Sequence, residues 1–149
     1  MDLSVHMIQP TMKIALDDGA FAPVREHFLD AGLDLRTPVD FVVPAHGWTT
    51  INTGIHVQLP HSTRGHVCSK SGLNSKHGLT ADGTIDEGYT GPLGVTVHNS
   101  SNEAYKFYRG DKVAQLVIEV IMRPVPILSD VESFEKSDRG DDGFGSTGV

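Results

Sequence analysis

The chain has 149 residues, 38% of them hydrophobic, with eight histidines, one cysteine and a formal net charge of −7. That length fits one domain with a real core; no apolar run could cross a bilayer, and a lone cysteine excludes an internal disulfide framework. Lys and Arg are scattered singly, with no basic patch interleaved with aromatics, which excludes a nucleic-acid polymer as partner. A small polyphosphate stays open, provided local donors and a divalent cation offset the repulsion. The first residues, Met1-Asp2-Leu3-Ser4-Val5-His6, carry no basic stretch followed by an apolar one. Together with the single Cys68, this sets a cytoplasmic, reducing compartment as the expectation.

In chain order, short alternating or β-branched runs predict strands at Met12–Leu16, Asp40–Val43, Thr49–Leu59, Gly65–Cys68, Gly94–His98, Tyr105–Tyr108 and Val113–Val120. Turn residues fill the gaps: Asp17-Asp18-Gly19, Pro44-Ala45-His46-Gly47, Leu59-Pro60 and Gly91-Pro92. Only Ser71–His77 has the look of a helical turn. Many short strands with regular punctuation predict an all-β sandwich or barrel. From Val131 onward Ser, Asp, Glu and Gly dominate, so a compact domain is expected over 1–130 and a mobile arm over 131–149.

Five segments carry candidate chemistry. Ala31-Gly32-Leu33-Asp34-Leu35 sets one carboxylate at the expected entrance of a strand. In Cys68-Ser69-Lys70-Ser71-Gly72-Leu73, a cation, hydroxyls and a glycine follow a strand, where the free N–H groups of a helical turn favour an anion. The Gly-x-x-x-x-Gly-Lys spacing of a P-loop is missing. Cys68 ends an apolar strand with no activating partner in sequence, and is expected in the core. Gly83-Thr84-Ile85-Asp86-Glu87-Gly88-Tyr89-Thr90-Gly91, followed by Pro92-Leu93-Gly94, predicts a β-hairpin with a polar tip. Its backbone can meet a base edge-on, and a carboxylate three residues from a Tyr suits a general base beside a sugar-stacking ring. Arg109-Gly110-Asp111-Lys112-Val113-Ala114-Gln115-Leu116 leads from a turn into an apolar strand with one amide, Gln115, turned toward a polar pocket. Last, Arg139-Gly140-Asp141-Asp142-Gly143-Phe144-Gly145-Ser146-Thr147-Gly148 cannot pack a core but can wrap a ligand. Its glycines let N–H groups approach phosphate oxygens, its Arg is a forked donor, and its Phe offers a flat face. Alone, each segment reads as an ordinary turn or tail. Neither the histidines, which lack zinc-ligand spacing, nor the two Arg-Gly-Asp triplets, nor the Asn99-Ser100-Ser101 sequon adds a function.

In order, these five segments resemble the homotrimeric dUTP diphosphatases (dUTPases), whose motifs look like AGxDL, a Ser-Gly-Leu segment, GxIDxxYxG, GDxxAQL and a C-terminal RGxxGFGSTG. The resemblance runs from Ala31 to Gly148, and details of the second and third motifs look like the bacterial and phage branch. It implies a distorted jelly-roll β-barrel that hydrolyses dUTP to dUMP and diphosphate. Asp86 would activate the water that attacks the α-phosphorus, and Tyr89 would lie under the deoxyribose and leave no room for a 2′-hydroxyl. The backbone of Gly83, Thr84 and Ile85, with Gly94 on the return strand, would read uracil. Lys70, Ser71 and Gly72 would hold phosphates, and Gln115 would join the α-phosphate and water network. Arg139 would clamp the γ-phosphate, Phe144 would cover the uracil, and Gly145, Ser146 and Thr147 would cradle the phosphate chain. The resemblance also implies Mg²⁺ held by phosphates and waters, with Asp34 reaching it only through water, and a homotrimer with shared active sites. Lys70 stands where many members carry Arg, Gly88 where other branches are acidic, and Thr80 where some relatives have a base-contacting Asn. The competing readings are a dCTP deaminase, a bifunctional deaminase and diphosphatase, and a non-hydrolytic nucleotide-binding regulatory module.

Overall fold

A computed structural model describes residues 10–143 of the chain. Phe144, Gly145, Ser146 and Thr147 lie outside the described residues. Ten strands carry the fold: β1 (Lys13–Leu16), β2 (Gly32–Arg36), β3 (Phe41–Val43), β4 (Trp48–Asn52), β5 (Ile55–Gln58), β6 (Thr63–Cys68), β7 (Leu79–Ile85), β8 (Gly94–Asn99), β9 (Tyr105–Phe107) and β10 (Lys112–Val120). The one α-helix among the described residues, α1 (Ser71–His77), follows β6, and a 3-10 turn covers Val131–Ser133. The protein is all-β, as the runs of short strands predict.

Six strands form one curled sheet in the order β2-β10-β6-β7-β8-β4, flanked by the antiparallel pairs β1-β5 and β3-β9. The curled sheet closes as the half-barrel of a distorted jelly roll. Alternation decides which face is buried. Along β6, Thr63, Gly65 and Val67 are buried while Arg64, His66 and Cys68 are only partly so. Leu35, Ile55, Leu79, Leu93, Phe107 and Leu116 fill the interior, each almost fully buried, and each contributes about 1.5–3 kcal/mol of transfer free energy. Cys68 therefore sits on the outer face of β6, not in the core as expected. Burial raises its thiol pKa, and the charges of Glu119 and Asp82 raise it further. It remains an inert thiol.

Two local devices place the functional segments. Phe41 stacks on Phe107 with ring centroids 4.8 Å apart, Tyr105 lies 4.7 Å from Phe107, and His77 of α1 lies 4.7 Å from Tyr105. This aromatic row, with the left-handed Gly78 ending the helix, docks α1 against β3-β9. The second device splits the expected Thr49–Leu59 run. Gly54 adopts φ 68°, its N–H donates to the Asn52 side chain at 2.8 Å, and its carbonyl accepts the Asp17 N–H at 2.8 Å. The chain turns there, so β4 stays with β8 while β5 leaves to pair with β1.

A Cβ at Gly54 would lie 2.9 Å from the Ala20 Cβ and 3.3 Å from the Asp17 Cβ. Gly54→Ala is therefore expected to cost at least about 1–2 kcal/mol, the penalty of a left-handed non-glycine, plus the clash. Urea unfolding should show a lower midpoint with an unchanged m-value.

Candidate active site

On the β2-β10-β6 side, the register sets Gln115 opposite both Asp34 and Cys68. Asp34 and Gln115 thus sit side by side, next to the loop that leaves β6. Asp34 is not at a strand entrance as expected: it is the middle residue of β2 and is 8% exposed. A carboxylate so covered needs cations. Lys112 supplies one at 2.8 Å from one carboxylate oxygen, and Lys70 pairs with the other. Lys112 also reaches Glu26 at 2.9 Å. Burial pushes the Asp34 carboxyl pKa up, but the hydrogen bonds and charges of Lys112 and Lys70 outweigh it, so the net shift is downward. Hydrogen bonds to Asp34 and then Glu26 hold the Lys112 ammonium pKa above its ordinary value.

Gln115 donates to the Ser69 carbonyl at 3.1 Å. Gly32 makes room for it, since a Cβ there would lie 2.3 Å from the Gln115 oxygen. The Ser69 hydroxyl donates to the Ala81 carbonyl at 3.0 Å and accepts the Ala81 N–H at 2.8 Å, tying the β6–α1 loop to β7. Lys70 is the extended N-cap of α1, and Ser71 and Gly72 open the helix at the surface. Asp34, Lys70, Lys112 and Gln115 line one shallow cleft with Glu26 and Gly32. The sequence alone gives Lys112 and Ser69 no role within their motifs, because their partners are distant along the chain.

The hairpin differs from a simple β-hairpin. β7 pairs with β8 only at Leu79↔Asn99, Thr80↔His98 and Ala81↔Val97. From Cys68↔Asp82 to Gly65↔Ile85 it pairs instead with β6, while Gly94, Val95 and Thr96 of β8 pair with β4. The two strands splay between Asp82–Ile85 and Gly94–Thr96, and the edges they turn toward each other carry no ladder there. Gly83 and Gly94 lie on these two edges. Ile85 is buried and anchors the splayed strand, and the Thr84 hydroxyl accepts a bond from Arg64 at 3.2 Å on the outer face.

Asp86 follows at once, exposed, and opens a turn closed by the Tyr89 N–H donating to its carbonyl at 3.0 Å. The Tyr89 hydroxyl donates to the Pro92 carbonyl at 2.9 Å, and its ring, 45% exposed, lies against Gly91, where a Cβ would come within 2.6 Å of the hydroxyl oxygen. The ring is held by its tip and open on one face.

These two clusters do not meet within one chain. Asp86 follows Ile85, which faces Gly65, the third residue of β6, whereas Lys70 lies beyond Cys68 at the strand's end. Five residues of extended chain put about 15–20 Å between them. Asp86 and Glu87 line a separate cleft with Gly88, His61, Ile121 and Arg123. Arg139 stands apart from both, exposed, its guanidinium donating to the Asp142 carbonyl at 3.1 Å.

A family model for dUTPase matches residues 19–148. The chain belongs to the dUTPase family. It is 38% identical to the deoxyuridine 5'-triphosphate nucleotidohydrolase of Oryza sativa subsp. japonica over 97% of this chain and 85% of that one. It is 39% identical to the same-named protein of Clostridium acetobutylicum over 90% and 93%. Among solved structures, the dUTPase of Staphylococcus bacteriophage 80alpha with dUPNHPP superposes with a TM-score of 0.85 at 32% identity, covering 95% of this chain and 100% of that one. A dUTPase from phage phi11 of S. aureus, described with a structural Mg(II) ion, gives 0.74 at 30% identity, covering 85% and 100%. Among the described residues, no helix is long and apolar enough to span a membrane.

The Asp34 pairing has a pH signature. Its folded pKa lies below the ordinary 3.8, so the stability it adds is fully present above the unfolded value and is lost as pH falls through the folded one. Asp34→Asn should therefore flatten the fall in unfolding free energy below about pH 5 relative to the parent. Urea titrations at stepped pH measure it.

Proposed function

We propose that the protein hydrolyses dUTP to dUMP and diphosphate, with Asp86 as general base in sites built between subunits of a homotrimer. The observation that carries this reading is the splayed edge of β7 and β8 with Asp86 and the half-open Tyr89 ring at its end. A strand edge offers N–H donors and C=O acceptors at fixed spacing, which uracil's own donors and acceptors can match. Cytosine reverses donor and acceptor at positions 3 and 4 and would leave buried groups unpaired. The backbone from Gly83 to Ile85 and at Gly94 reads the base, the narrow space excludes a 5-methyl group, and the Tyr89 ring under the sugar leaves no room for a 2′-hydroxyl.

Asp86 takes a proton from water as that water attacks the α-phosphorus in line, and diphosphate leaves. Positioning, charge stabilisation and one base suffice for this chemistry. Lys70, Ser71 and Gly72 hold the phosphates, and Gln115, oriented by Ser69 and Gly32, joins the α-phosphate and water network. Arg139 clamps the γ-phosphate, Phe144 covers the base, and Gly145, Ser146 and Thr147 cradle the phosphate chain from the C-terminal arm.

The residues fit Mg²⁺ in one way. Asp34 is the carboxylate beside the phosphate-holding Lys70, both its oxygens engage lysines, and no group of three His, Cys, Asp or Glu side chains among the described residues is arranged to hold a metal ion. Such a site would hold the ion through the substrate's phosphates, with Asp34 reaching it by way of water. When bound, the ion neutralises charge and fixes the triphosphate conformation.

The separation of the two clusters supports shared sites. A base acts within hydrogen-bond reach or through one water, and Lys70 of the same chain is too far from Asp86 to hold the phosphate that Asp86's water attacks. The long exposed segment after β10 supports the same reading. Met122, Val125, Ile127 and Leu128 are 83–102% exposed, an arrangement suited to packing on another copy.

Chromatography of dUTP, dTTP, dCTP and UTP after incubation with Mg²⁺ should show loss of dUTP alone; ammonia from dCTP, or an untouched dUTP, would contradict the reading. Asp86→Asn should lower kcat by about 10²–10⁴ while still binding a non-hydrolysable analogue. Light scattering should give about three times the 16.1 kDa chain mass, and an active monomer would refute the shared site.

A further inference from the structure

Glu87, next to the base, makes more contacts than any role assigned so far requires. One carboxylate oxygen lies 2.7 Å from the His61 ring. The other accepts the Ser62 N–H at 3.2 Å and pairs with the Arg123 guanidinium at 2.5 Å. Its side chain is 22% exposed, and Arg123's is 51% exposed. Ser62 adopts φ 59°, a left-handed conformation unfavourable for a serine, and Glu87 receives the N–H of that residue. The Ser62 carbonyl in turn accepts the Ile121 N–H at 2.9 Å, just past the last β6-β10 pair, Thr63↔Val120. Arg123 stands two residues further, followed by Pro124-Val125-Pro126, where the chain leaves the sheet and is exposed.

We propose that Glu87 is a positioning residue: it fastens the turn that carries Asp86 to the β5–β6 loop and to the root of the C-terminal arm at Arg123. This rests on the dUTP-hydrolysing reading above and deepens it. The Asp86 carboxylate accepts no hydrogen bond among the described residues, so its aim depends on the turn, and the turn depends on its neighbour. Arg123 is the last residue before two prolines restrict the backbone, so its direction sets the direction in which the arm departs. A single carboxylate thus orients the base of one site and the take-off of the arm that completes another.

An ion pair at the surface, its Arg123 side half-exposed, adds little to overall stability, so its removal should show in catalysis and not in melting. His61, and then Arg123, hold the Glu87 carboxyl pKa below its ordinary value; the pair is charged at neutral pH.

The test is a double-mutant cycle on the full-length protein, Glu87→Gln and Arg123→Gln singly and together, with Arg123→Lys as the conservative variant. Each single Gln variant should lower kcat for dUTP by about tenfold, with any rise in KM through the arm's grip on substrate smaller than the fall in kcat. The double variant should be no worse than the poorer single, because the two residues act as a unit. Arg123→Lys should keep most of the activity, and all melting temperatures should match the parent's. Multiplying losses in the double variant, a change confined to KM, unchanged kcat, or melting temperatures that fall with activity would each overturn the assignment. A parent that leaves dUTP intact would remove the functional reading and this inference with it; an active parent with any of the preceding results removes the inference alone.

Discussion

The structure turns on the pairing of β7. For three residues it belongs to β8, and for the next four to β6. A strand cannot follow two diverging partners on both edges, so one edge of Asp82–Ile85 and the facing edge of β8 lose their ladder. Bare backbone edges are usually a liability that proteins cover. Here they lie inside a six-stranded sheet, with Ile85 anchored in the core and an exposed carboxylate immediately beyond. The same pairing brings the proposed base-reading edge and the proposed general base together.

Under the proposed chemistry it also determines where the phosphate grip has to come from. β6 joins the two halves: Ile85 faces its third residue, Gly65, and Lys70 follows its end. No side-chain adjustment can close a gap of about 15–20 Å, so the proposed chemistry needs a second copy of the chain. An acidic protein that binds a polyanion meets a matching electrostatic demand. The nearly buried Asp34 between Lys70 and Lys112 gathers two cations at one point without a basic surface, and keeps them oriented where phosphates would arrive.

Much of this was legible in the sequence, because strand alternation and turn residues are local signals. The expected strands recur with ends shifted by a residue or two, and Ser71–His77 is the helix. The Thr49–Leu59 run looks unbroken because Asn52-Thr53-Gly54 sits within a β-branched stretch; only the contact of Gly54 with Ala20 and Asp17 shows why it must turn. Asp34 was expected at a strand entrance, where Asp is common, and lies mid-strand because two lysines neutralise it. Cys68 looked like core, but the inward places on β6 belong to Thr63, Gly65 and Val67. Lys112 and Glu87 carry no role in the sequence for a shared reason. Their partners stand 25 to 86 residues away along the chain, a distance at which neither periodicity nor spacing carries a signal.

The central claim is that base and phosphate grip come from different copies of the chain, and subunit complementation tests it most directly. An Asp86→Asn protein and a Lys70→Ala, Ser71→Ala protein, each inactive alone, are unfolded together and refolded as a mixture. Sites that pair an intact grip from one variant with an intact base from the other should restore about a quarter of parental dUTP hydrolysis at equal proportions. If the mixture stays as inactive as its components while mixed assemblies demonstrably form, the active site lies within one chain and the account is wrong.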